Sequence, residues 1–97
     1  MRLAFWQWPN GPDVAEEAWV RIVPLDFPAD RGLAAHRAPA DALFICLAGT
    51  IRFSLEGETR DLRPGDGVAM RAGQVHSVAG GSEGRALLLL RRPAEGA

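Results

Sequence analysis

The chain contains no lysine and no tyrosine, so every one of its 11 basic residues is an arginine. No Schiff base can form on a lysine here, and no phenol can serve as a proton donor. Histidine and cysteine are almost as scarce, with 2 and 1 copies. With the carboxylates, His36, His76 and Cys46 are the candidates for proton transfer or nucleophilic attack. A single cysteine makes no internal disulfide, which agrees with a reducing compartment. Long apolar runs are also missing: "MRLAFWQWPNGPD" at the start has no signal-peptide core, and "ALLLL" near the end is far too short to span a bilayer. A cytoplasmic protein is expected. With a net charge of −1 and scattered arginines, neither nucleic acid nor a membrane surface is an expected partner.

What is present suits one small domain. The 97 residues are 47% hydrophobic, enough for a modest core. Turn formers ("PNGP", "PAD", "AG" at 48–49, "EGE", "PGD", "AGQ", "AGGSEG") recur at roughly the 8–12-residue spacing of sandwiches and barrels. Between them lie β-prone runs: "AWVRIVPL", "LFICLA", "TIRFSLE", "ETRDL", "GVAM", "HSVA" and "RALLLLRR". Ile51, Phe53 and Leu55 alternate with Arg52, Ser54 and Glu56, as in a strand with one wet face, and Glu56-Gly57 closes a hairpin. "RALLLLRR" does not alternate and reads as a strand apolar on both faces, needing cover on each. The stretch "DVAEEAW", with Asp13 as a cap, suits a single helical turn or a loop. The organisation expected is an aromatic-rich segment over 1–19, a barrel over 20–93 and a short tail over 94–97.

Two stretches resemble the motifs of the cupin superfamily, G-x5-H-x-H-x3,4-E-x6-G and G-x5-P-x-G-x2-H-x3-N. In "GDGVAMRAGQVH", Gly65, Gly73 and His76 fall at the second motif's intervals, with Arg71 at its proline and Gly80 at its asparagine. The preceding "LRPGD" turn strengthens the likeness. The resemblance implies a single-domain jelly-roll β-barrel. Counting back from Gly49 along the first motif puts His36 at the first histidine, but Ala38 and Ala42 at the second histidine and the glutamate, and Asp30 at the opening glycine. Two of the four metal ligands that the family uses are therefore alanine here.

Two imidazoles fall short of the three protein ligands usual at a catalytic metal. Asp41 has the wrong strand parity to replace the glutamate. Cys46 has the right parity, yet lies about 13 Å further along the strand at ~3.3 Å per residue. No resident cofactor is expected, and a divalent transition metal held by His36 and His76 stays open. The leading expectation is a small-molecule-binding cupin with a degenerate metal site, whose ligand meets His36, His76, Phe44, Cys46, Gln74 and Arg71. Arg71 would suit an anion through its planar fork. One alternative is a cupin enzyme of oxygenase or isomerase type using His36 and His76. Another is a dimeric interaction module without a ligand. A homodimer is expected in either case, because Leu43, Ile45 and Leu47 form an apolar face opposite the core. Phe5, Trp6, Trp8 and Trp19 would serve an interface or barrel cover, or else a lid over the ligand.

Overall fold

The computed structural model describes residues 8–9, 20–79 and 83–91. Seven strands follow one another: β1 (Val20–Phe27), β2 (Leu33–Arg37), β3 (Ala42–Leu55), β4 (Glu58–Leu62), β5 (Gly67–Met70), β6 (Val75–Val78) and β7 (Glu83–Arg91). Every ladder between them is antiparallel. No described residue is helical, and the stretch 13–19 that read as a helical turn or loop lies outside the described residues.

β3 organises the molecule. Its 14 residues would run about 46 Å at ~3.3 Å each, far longer than an ordinary strand. It therefore bends and serves two layers. Its first part pairs with β5 on one edge and β7 on the other, and β1 adds to β7. Its last part pairs with β4 and β6, and β2 adds to β6. Two antiparallel layers that share one strand close into a jelly-roll barrel. Among the described residues β1 pairs only with β7, and such an edge strand is where a proline like Pro24 is tolerated.

The bend corrects one expectation. Ala48-Gly49 looks like a turn between two strands, but β3 runs through it. The ladder with β7 shifts register between Cys46 and Ala48, and Gly49 takes a φ of 72°. This is a bulge that bends the strand without ending it. Side chains are excluded twice over: a Cβ on Gly49 would collide with the backbone oxygen of Glu83. The Glu56-Gly57 hairpin does form, with φ of 47° and 85° at the two central positions of a tight turn between β3 and β4.

Inside, Phe44, Phe53, Ile51 and Cys46 are the largest fully buried side chains, joined by Phe27, Leu62, Met70, Val78 and Ala86. The rings of Phe44 and Phe53 lie 4.8 Å apart and those of Phe27 and Phe44 6.1 Å apart, both tilted, the arrangement that aromatic quadrupoles favour. The leucines of β7, flanked by β1 and β3, are half-buried on both faces. β2 was absent from the strand-prone runs. Its residues, Leu-Ala-Ala-His-Arg, are all exposed, and the alanines supply no β-branched signal.

Candidate functional site

β2 and β6 bring the two histidines together. His36 and His76 are direct partners in the ladder, with ring centroids 4.1 Å apart at 60°. The turn before β6 sets this up. The Arg71 N–H donates to Gln74 Oε1 at 2.8 Å, and the Gln74 N–H donates to the Arg71 carbonyl at 3.1 Å. The backbone of Ala38 then clips the turn to β2: its N–H donates to Gln74 O and its carbonyl accepts from Gly73 N–H, at 2.9 and 2.8 Å. Arg37 Nη1 also donates to the Gly73 carbonyl at 2.9 Å. With the turn fixed, strand alternation sends His76 and Val78 into the barrel.

The two rings have unlike surroundings. His76 is buried and lies parallel to Phe53, with centroids 5.9 Å apart, whereas His36 is exposed. The pair thus sits at an open edge of the barrel. Burial pulls the pKa of His76 below the usual imidazole value, the neighbouring His36 pulls the same way, and the Gln74 carbonyl opposes them. His76 is accordingly neutral at neutral pH. Each Nδ1 contacts a main-chain carbonyl, Ala34 O at 3.0 Å for His36 and Gln74 O at 3.5 Å for His76. A carbonyl only accepts, so in the neutral ring the proton sits on Nδ1 and Nε2 keeps its lone pair.

That tautomer suits metal ligation, but the rest of the ligand set does not. Ala38 and Ala42, at the other two motif positions, are buried with 4% and 7% exposure and carry no donor atom. Among the described residues no three of His, Cys, Asp and Glu gather as a metal-binding group. The residues present do not fit a resident metal held by protein ligands alone.

The other candidates are distributed differently. Phe44 packs between Phe27 and Phe53 and is core. Cys46 is fully buried, its Sγ lies 3.5 Å from the Ala48 carbonyl, and burial raises its pKa. Gln74 spends its amide oxygen on the turn, so its main-chain carbonyl is what reaches His76. Arg71 faces a separate groove on the outer side. Trp8 donates from Nε1 to Asp26 at 3.2 Å and lies under the Arg85 guanidinium, 5.2 Å from the ring centroid. Asp26 and Arg85 alternate with the buried Phe27 and Ala86, so Trp8 stands on the outer face of the β1–β7 layer rather than over the histidines. Phe5, Trp6 and Trp19 lie outside the described residues.

Residues 25–90 match the family model described as the cupin domain. The chain belongs to the cupin family. Among solved structures, a cupin superfamily protein from Desulfitobacterium hafniense is 22% identical with a TM-score of 0.69, over 76% of this chain and 68% of that one. DMSP lyase DddQ from Ruegeria pomeroyi is 31% identical with a TM-score of 0.70, over 80% of this cupin but 41% of the lyase. KdgF from a Halomonas species is 20% identical with a TM-score of 0.67, over 96% and 78% of the two chains. A search of curated proteins finds no match.

Proposed function

We propose that this cupin binds a small molecule at the open edge of its barrel, with the His36–His76 pair as the recognition element in place of a resident metal. The observation that carries this reading is the pair itself: two imidazoles in ring contact, each with Nδ1 turned to a main-chain carbonyl. Rings so arranged, with Nδ1 turned to a carbonyl, direct Nε2 away from it, at the rim of an apolar core in which Phe53 lies buried against His76. A ligand that suits them carries hydrogen-bond donors next to an apolar body, since a few polar groups on an apolar surface fix orientation in small-molecule sites. The packed interior supports a shallow seat, because Phe53 lies against His76 and Phe44 against Phe53, both fully buried.

Elemental analysis of untagged protein tests the metal half of this reading. Metal well below one atom per chain is expected. Near-stoichiometric manganese, iron, nickel, copper or zinc that disappears in His36→Ala or His76→Ala would favour the metal-dependent enzyme instead. Calorimetric titration with a panel of small polar compounds tests the binding half. DMSP belongs in that panel because of the lyase similarity. Binding that is lost in His76→Ala supports the site; binding indifferent to both histidines rejects it.

A further inference from the structure

Arg71, whose planar fork suits an anion, stands apart from the histidines on a different groove. Outside the barrel, where β5, β3 and β7 lie side by side, Leu43 is the ladder partner of both Ala69 and Leu89. These three make an apolar row. Two residues further along each strand direction, on the same outward parity, stand Arg71, Asp41 and Arg91. All six line one groove of about 320 Å³, at the small end of the ~300–1,000 Å³ typical of ligand sites. Ala69, short beside Leu43 and Arg71, leaves room at one end of the row, and Leu43 remains 48% exposed beside it.

The charges in the groove do not cancel. Asp41 is committed, accepting the Ala72 N–H on Oδ1 at 2.9 Å. Neither the Arg71 nor the Arg91 guanidinium forms an ion pair or hydrogen bond among the described residues. Two guanidiniums against one carboxylate leave a net positive end on an apolar trough.

We infer that this groove is a second binding site, for a small amphipathic monocarboxylate whose anionic head meets Arg71 and Arg91 and whose apolar tail lies along Leu43, Ala69 and Leu89. A carboxylate matches the planar fork of a guanidinium. A second copy of the chain laid across the same face would bury both guanidiniums, which is costly unless each finds a carboxylate. The monocarboxylate satisfies both the charge and the trough.

Octanoate is the probe, titrated calorimetrically into the full chain, with octan-1-ol (tail without charge) and inorganic phosphate (charge without tail) as comparisons. Octanoate binds more tightly than either, and Arg71→Gln and Arg91→Gln each weaken it by about tenfold, while His76→Ala leaves it unchanged. Arg71 contributes its backbone N–H to the turn rather than its side chain, so Arg71→Gln keeps the fold; Arg91→Gln is the second, independent variant. No octanoate binding, equal binding of octanol or phosphate, or indifference to both arginine substitutions overturns the inference. So does a solution dimer that Leu43→Glu converts to monomer and that excludes octanoate. Because His76→Ala separates the two sites, failure here leaves the histidine reading standing.

Discussion

His36 and His76 meet face to edge across the β2–β6 ladder, 4.1 Å between ring centroids, one ring in solvent and the other buried. The asymmetry makes His76 a reporter of acid. Its pKa is lowered by burial first and by His36 second, so between that value and the ordinary ~6.5 the unfolded chain binds the proton and the folded chain does not. Stability is then level above about pH 7.5 and falls as pH drops through 6.5, with a slope of at most about 1.4 kcal/mol per pH unit from this group. Asp61, whose pKa is also lowered, acts only below its own ordinary value near 3.8 and does not overlap. Urea denaturation at pH 8, 6.5 and 5.5 measures the effect. His76→Phe removes it, and an unchanged slope in that variant would assign the acid sensitivity elsewhere.

Ala38 and Ala42 are where a metal site would be restored. Both are buried, and Ala38 shares the Gln74 carbonyl with His76. The double variant Ala38→His, Ala42→Glu overfills these positions and buries a carboxylate, so without metal it is less stable by about 1–3 kcal/mol or more. Manganese, nickel or zinc at about 100 times Kd then returns roughly 2.7 kcal/mol. Thermal melts with and without metal check this. A melt that metal leaves flat shows that the four positions do not converge.

Much of this site was legible as position and little as contact. The count from Gly49 located His36, Ala38 and Ala42, and the Gly65–Gly73 spacing located His76, because motif spacing reflects the turns that launch each strand. That His36 and His76 touch depends on the β2–β6 register, and β2 carries too many alanines to announce itself as a strand. The alternation of Ile51, Phe53 and Leu55 marked the end of β3 correctly. Gly49 misled because a turn and a bulge demand the same positive φ locally; what decides between them is β7, which runs past on the far side and keeps the ladder going. Arg71 was noticed for its charge, but its partner in the groove, Arg91, lies 20 positions away on a strand joined to β3 only by the fold.

Two glycines with similar backbone angles separate strain from collision. Gly49 and Gly57 have φ of 72° and 85°, but an added Cβ meets nothing within 4 Å at Gly57 and strikes the Glu83 backbone oxygen at Gly49. Gly57→Ala therefore costs about 1 kcal/mol, the left-handed penalty alone. Gly49→Ala costs several times more, since the β3–β7 ladder must part to admit the methyl. Denaturation midpoints of the two variants give the comparison; equal losses would mean that the bulge relaxes freely.

Cys46 carries the chain's single thiol, and its environment silences it. The side chain is fully buried, and burial, the largest cause, together with Asp66 raises the thiol pKa against the opposing pull of the Ala48 carbonyl. Only the thiolate attacks disulfides, so a thiol reagent at pH 8 modifies Cys46 no faster than the chain opens. The measurement is labelling with an aromatic disulfide in rising urea: the rate climbs with the population of open molecules and jumps to that of a free thiol at the unfolding midpoint. Stoichiometric labelling within seconds in native buffer would mean that the thiol reaches solvent without unfolding. Cys46 would then return to the set of groups able to line a ligand site.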